Sequence, residues 1–265
     1  MHQPPARRNF RGRKLKTLEG QSVLVTGGSR GLGLGVVEAL LARGARVTVV
    51  ARTEAPLFEL RSRVGITAIP GDAADPEFAE STLQKVQPLV LVLNAGATPV
   101  MAPLHEQTWE SFSGTWNTDV KAAFHWVRAA LRLPLTPGSR VLLSSSGAAI
   151  SGSPLSGGYA GAKRTIWLMA GYANGVSKER ALGIRFQALL PRQIVGATTL
   201  GRAAAEAYAR RQGKSTEEFL AGFGKPLSPR EYGEHVSTVL TDSQYDNTTA
   251  FGIHGTSGIE VLDAQ

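Results

Sequence analysis

Gln21–Ala42 reads QSVLVTGGSRGLGLGVVEALLA. Residues 21–26 form a short apolar run of the kind that makes a strand buried on both faces. The glycine-rich segment 27–33 follows at once, and a helical pattern then runs from Leu34 to Ala42 and stops at Gly44. Strand, glycine turn and helix in that order are the setting a dinucleotide fingerprint requires. Gly27, Gly31 and Gly33 let the backbone come close to a pyrophosphate, with Ser29, Arg30 and Leu32 presented between them. The helix start offers free N–H groups and the positive end of its dipole. An ordinary glycine-rich strand-to-helix loop would share the pattern; the flanks favour the cofactor reading.

The next strand, Ala45–Ala51, ends where an acid would hold the ribose hydroxyls of NAD. Arg52 and Thr53 stand there instead, and Arg30 lies in the glycine loop. Guanidinium groups pair with phosphate through bidentate, charge-assisted bonds, so the expected cofactor is NADP(H), recognised by its 2′-phosphate. A short strand near residues 65–69 leads to Gly71, Asp72 and Ala73. Asp72 either accepts from an adenine amino group or caps a turn. A buried strand over residues 88–93 ends in Asn94-Ala95-Gly96, small enough for close approach of a cofactor or for a plain turn. The strand–helix alternation predicts a single α/β domain with a parallel, doubly wound sheet.

A long helix is expected over residues 107–131, with Trp116, Val120, Phe124 and Val127 on one stripe as core or subunit interface. A strand starting at Arg140 runs into Ser145 and Ser146, and a helix begins near Gly157. Tyr159 and Lys163 lie four apart on that helix and project from one face. An ammonium one turn away stabilises a phenolate, which makes proton exchange by Tyr159 feasible near neutral pH. Ser146, thirteen residues before Tyr159, can give a hydroxyl to the oxygen that Tyr159 protonates. The set suits reduction of a carbonyl or oxidation of an alcohol. Such residues also occur as solvated helix edges and turn serines, and the upstream motifs weigh against that reading. Further on, a strand is expected over residues 183–190, a helix over 202–212, a helix over 230–240 and a last strand over 258–262. Residues 196–227 are the expected substrate cover, and Val100, Met101 and Leu104 an apolar wall.

The chain has 265 residues and a net charge of +8. Arg7, Arg8, Arg11, Arg13, Lys14 and Lys16 stand against Glu19, so residues 1–19 carry +5 of it. That segment reads as a disordered basic arm ahead of a domain over residues 20–265. Nucleic-acid binding is not expected, because no base-reading motif accompanies the charge. No apolar run approaches the roughly 20 residues that span a bilayer, and the arm lacks the apolar core of a secretory signal, so the expectation is a cytoplasmic protein. There is no cysteine, which excludes disulfide and thiolate chemistry, and the five histidines are scattered without metal-ligand spacing.

Together these motifs resemble the short-chain dehydrogenase/reductase family over residues 21 to about 195. Residues 26–33 (TGGSRGLG) look like its T-G-x-x-x-G-x-G motif, residues 94–96 its N-A-G, and Tyr159 to Lys163 its Y-x-x-x-K. The resemblance implies a seven-stranded Rossmann sheet, a homodimer or homotetramer, and hydride transfer between NADP(H) and a small carbonyl or alcohol substrate. It makes Tyr159 the proton donor, Lys163 its activator and a holder of the nicotinamide ribose, and Ser146 the group that orients the substrate oxygen. Ile194 would meet the carboxamide through its backbone. Two positions depart from the family. Asp119 stands where the family has an asparagine that holds a water, with Asn117 two residues earlier. Arg192 replaces the glycine after Pro191, and would touch cofactor phosphate, an acidic substrate or solvent. A dinucleotide-binding sensor without turnover is the alternative reading, and the retained Ser146, Tyr159 and Lys163 count against it.

Overall fold

The computed structural model describes Leu15 and residues 17–262. Most of the basic arm, residues 1–14 and 16, lies outside the described residues. Leu15 and Leu18 are buried against the core, so the folded unit reaches upstream of residue 20.

Strand periodicity of two decides how the layers form. In β1 (Ser22–Thr26), Val23 and Val25 face one hydrophobic core while Leu24 faces the other. The first core packs β1 against α1 (Gly31–Leu41) and α10 (Pro229–Thr241). These two helices meet backbone to backbone. A Cβ on Gly35 would lie 1.8 Å from the Pro229 carbonyl oxygen, and one on Gly233 2.0 Å from that of Gly35. The second core, on the other face, gathers Trp126, Phe186 and Ile166 from α5 (Lys121–Arg132), β6 (Arg185–Pro191) and α7 (Tyr159–Glu179).

The remaining strands are β2 (Arg46–Ala51), β3 (Thr67–Pro70), β4 (Val90–Leu93), β5 (Arg140–Ser144), β7 (Ala250–His254) and β8 (Gly258–Leu262). Their order in the sheet is β3-β2-β1-β4-β5-β6-β7-β8. The first seven run parallel and β8 returns antiparallel to β7. The sheet therefore has eight strands rather than the expected seven. The last strand read from the sequence is β8, and the seventh parallel strand is β7, hidden in a short segment with Gly252 at its centre. Strand order reverses between β1 and β4, and the crevice at their carboxyl ends is where such folds bind ligands.

The expected long helix is three pieces. A capping box at Thr108 and Ser111 starts α4 (Trp109–Thr115), a π turn covers Trp116–Val120, and α5 follows. In the expected stripe only Val127 is fully buried; Phe124 is exposed. Trp116 instead donates from Nε1 to the Gly158 carbonyl (3.0 Å) and packs over Gly158 and Gly161, fixing the start of α7. Among the described residues no helix is long and apolar enough to cross a membrane.

Candidate active site

A cavity of about 830 Å³ opens along the carboxyl edge of the sheet. The loop after β1 forms one end of it. Gly27 and Gly31 have φ of +67° and +55°, a left-handed backbone that favours glycine. A Cβ on Gly27 would lie 2.7 Å from Ala95 Cα. Thr26 Oγ1 accepts from the backbone N–H of Asn94 (3.1 Å) and Ala95 (3.2 Å), and Asn94 Nδ2 donates to the Gly27 carbonyl (3.1 Å). These bonds lock the glycine loop to the end of β4. Arg30 occupies the N-cap of α1 without a side-chain cap bond, and the first turn carries no acid. The helix start is thus left free to meet an anion.

Gly27, Ser29, Arg30, Gly31, Leu32, Arg52, Thr53, Asp72, Ala73, Asn94, Ala95, Gly96, Asp119, Ser146, Tyr159, Lys163 and Ile194 all line this one cavity. Gly33 does not. Its Cβ would sit 2.2 Å from the Gly27 carbonyl oxygen, so it lets α1 pack beneath the loop. Asp72 Oδ1 accepts from the Ala74 N–H (2.9 Å), a turn bond made while the residue still borders the cavity.

Tyr159 opens α7 and Lys163 follows one turn later, both buried. Lys163 Nζ lies 5.6 Å from the Tyr159 ring centroid and donates to the Ser144 carbonyl (3.2 Å). Asp119, in the π turn, places Oδ2 2.9 Å from Nζ. That oxygen meets the ammonium as a buried ion pair. Asp119 Oδ1 accepts from the Ala97 N–H and the Thr118 hydroxyl (2.8 and 2.9 Å). Burial disfavours the ammonium of Lys163, but the charges of Asp119 and Tyr159 outweigh it and hold the lysine pKa above its ordinary value.

Ser145 and Ser146, adjacent after β5, make different bonds. Ser145 Oγ is buried and donates to the Lys163 carbonyl (2.7 Å). Ser146 Oγ accepts from the Ala148 N–H (3.2 Å) and commits its own proton to no partner among the described residues. Arg192 turns its guanidinium to Glu260 of β8 (3.4 Å), which His254 also meets at 3.0 Å. The side chain therefore serves the β7–β8 hairpin.

Sequence reading placed the apolar wall wrongly. Val100 and Leu104 face solvent, and none of Val100, Met101 and Leu104 borders the cavity. The wall comes from α8 (Thr199–Gln212), α9 (Thr216–Ala221) and the turn after α9, through Tyr208, Phe219 and Phe223. Thr198, Tyr208, Phe219 and Phe223 fall within the expected cover of residues 196–227. Ser144 also lines the site and was missed, since nothing in its local sequence marks it.

The family model for short chain dehydrogenase matches residues 21–209. L-xylulose reductase of Homo sapiens is 41% identical over 106 residues, 40% of this chain and 43% of that protein. Carbonyl reductase (NADPH) 2 of Sus scrofa is 35% identical over 130 residues, 48% of this chain and 53% of that protein. The matched stretch thus spans about half the length of these curated relatives. The crystal structure of a blue fluorescent protein from a metagenomic library, in complex with NADPH, superimposes with a TM-score of 0.71 at 26% identity, covering 90% of this chain and 98% of that one.

Proposed function

The chain belongs to the short chain dehydrogenase family, and from that premise we propose that it is an NADP(H)-dependent reductase of a small carbonyl compound, or the reverse alcohol dehydrogenase. One observation carries the reading: Ser146, Tyr159 and Lys163 border the same cavity as the glycine loop and the uncapped start of α1.

The residues fit the cofactor, since the loop has glycines where a Cβ would clash and no side chain caps the helix start among the described residues. The α1 N-terminus with the backbone of Gly27, Ser29, Gly31 and Leu32 would hold the pyrophosphate. Arg30, Arg52 and Thr53 would take the 2′-phosphate, Asp72 and Ala73 the adenine, and Asn94, Ala95, Gly96 and the Ile194 backbone the nicotinamide end. When bound, the cofactor supplies or accepts the hydride. Ser146 Oγ donates a hydrogen bond to the carbonyl oxygen and orients it. Tyr159 passes its hydroxyl proton to that oxygen in reduction and takes it back in oxidation. The Lys163 ammonium, held by Asp119 and the Ser144 carbonyl, stabilises the phenolate left behind and bonds the ribose. Exposed Trp109, Phe124 and Tyr172 support assembly into a homodimer or homotetramer, which light scattering would size.

The test is fluorescence titration with NADPH and NADH on the wild type and Tyr159→Phe, followed by a carbonyl panel. The reading requires NADPH to bind both proteins more tightly than NADH does, with turnover by the wild type alone. Binding without turnover on any carbonyl would leave a dinucleotide-binding sensor in its place.

A further inference from the structure

The substrate end of the cavity leaves little hydrogen-bonding capacity unspent. The loop after Ser146 faces α8, where Ser153 Oγ and Tyr208 Oη share a 2.9 Å hydrogen bond and the Leu155 N–H donates to the same Tyr208 oxygen (3.3 Å). Gln193 spends both ends of its amide, on the Lys225 carbonyl (3.0 Å) and the Gly255 N–H (2.8 Å). Thr198 Oγ1 donates to the Val195 carbonyl and accepts from the Gly201 N–H. Ser151 Oγ donates to the Gly147 carbonyl (3.3 Å). Of the polar side chains that α8 turns to the cavity, Thr199 and Gln212 make no side-chain hydrogen bond among the described residues.

Charge is spent in the same way. Asp119 and Lys163 neutralise each other, and Arg192 pairs with Glu260. The other charged residues of the cavity, Arg30, Arg52 and Asp72, belong to the glycine loop and the ends of β2 and β3. What the substrate end does offer is ring surface. Tyr208 and Phe219 lie nearly parallel, 10° apart with centroids at 6.0 Å, and Phe223 stands edge-on to Phe219 at 5.4 Å. Ile194, Leu200 and Ala204 continue the apolar lining.

We propose that this pocket selects an uncharged ketone that carries an aromatic ring, alone or fused to the ring of the carbonyl, or the matching alcohol, over polyhydroxylated and acidic carbonyl compounds. The proposal rests on the reductase reading for the reaction, and on the pocket alone for the preference. A ketose would bury a row of hydroxyls mostly against groups already paired, and each hydroxyl left unmatched lowers affinity by roughly tenfold or more. A carboxylate would enter that end with no unpaired cation among the described residues to meet it. An aromatic ring gains stacking and edge contacts from Phe219 and Phe223 and asks for one hydrogen bond, at the carbonyl oxygen.

The experiment is calorimetric titration of the full chain, with and without NADP⁺, using 2-tetralone, a carboxylated tetralone and a ketopentose, alongside NADPH consumption with each. We expect 2-tetralone to bind at least tenfold more tightly than either competitor. Phe219→Ala should weaken that binding about tenfold or more while NADPH affinity stays unchanged. Phe219→Leu, which keeps the apolar volume, should fall between. A preference for the ketopentose or the acid, no binding of 2-tetralone, or tetralone binding untouched by both variants would overturn the proposal. Tetralone bound in these proportions but never reduced would uphold the pocket's preference and refute the reductase reading. Reduction of the ketopentose alone would do the opposite.

Discussion

Asp119 and Lys163 form a buried ion pair, Oδ2 to Nζ 2.9 Å, with side-chain exposures of 1% and 7%. The pairing follows from the π turn, which adds a residue to the helix and carries Asp119 under the end of β4. Removing one member of a buried pair strands the other, so Asp119→Ala should cost about 3–5 kcal/mol of stability. The pH dependence gives a sharper test. Lys163 is raised above its ordinary 10.5, so in the wild type the pair's contribution is whole below pH 10.5 and is lost as pH rises through the folded value. In Asp119→Asn, burial becomes the dominant influence and depresses Lys163. The unfolded chain then binds more protons than the folded one, and stability should rise as pH approaches 10.5. Urea midpoints from pH 7 upward would show slopes of opposite sign; parallel curves would refute the assignment.

Arg140 leads to a second prediction. Its guanidinium is 1% exposed and bonds Gln187 Oε1, Asp246 Oδ1 (3.1 Å) and the Val239 carbonyl (3.1 Å), tying β5 and β6 to the end of α10. Burial, with help from Arg185 and against Asp246, pushes its pKa down to about 10. Arg140→Ala leaves these acceptors unpaired and should cost about 3–5 kcal/mol. Arg140→Lys should recover little, because an ammonium cannot reproduce the planar fork. Denaturant unfolding of both variants checks this, and a lysine variant near wild type would contradict it.

Cofactor choice should rest on Arg52. A hydrogen bond to a charged group contributes about 1.5–3 kcal/mol, so Arg52→Ala should weaken NADPH by roughly ten- to a hundredfold and leave NADH nearly unaltered. Parallel fluorescence titrations decide it. Equal losses for both cofactors would remove Arg52 from phosphate recognition.

Two glycines in helices should respond in opposite directions. Gly35→Ala drives a methyl into the Pro229 carbonyl at the α1–α10 contact, and overpacking of this kind costs about 1–3 kcal/mol or more. Gly175→Ala on α7 meets nothing within 4 Å. It should stabilise by about 0.4–1 kcal/mol, because alanine restricts the unfolded chain at a position whose helical backbone it can adopt. Thermal unfolding of the two variants in one buffer would check both signs.

The sequence was most legible where local chemistry dictates the structure. The apolar run before Gly27, the glycines themselves and the four-residue spacing of Tyr159 and Lys163 carry their geometry with them. What stayed hidden depends on distant partners. β7 looked like a tail because Gly252 interrupts its apolar pattern, yet a Cβ there would meet Glu260 and Arg192. The π turn inserts a residue that shifts the phase of the helical stripe, and no residue type within Trp116–Val120 announces it. Leu104 is apolar with nothing to cover it, whereas Tyr208 and Phe219 reach the cavity only because α8 and α9 fold back beside Ser153. Sequence alone does not show what divides the neighbours Ser145 and Ser146, since the Ser145 bond to the Lys163 carbonyl depends on how α7 packs against β5.

That separation yields the last prediction. Ser146 faces the cavity with its hydroxyl proton uncommitted, so Ser146→Ala should remove a donor to the reacting oxygen and lower turnover by about 10²–10³-fold. Its stability cost should stay near 0.5–1.5 kcal/mol, the value of the bond from the Ala148 N–H. Ser145→Ala should show the reverse balance. It leaves the buried Lys163 carbonyl short of a partner and should cost about 1–3 kcal/mol. Its effect on turnover should arise only from slackened placement of Lys163 and be the smaller of the two. Measuring kcat and the urea midpoint for both variants, on any carbonyl the wild type reduces, sets the two serines apart. If Ser145→Ala suffers the larger loss in kcat with an unchanged midpoint, the roles are exchanged and Ser146 is a turn residue.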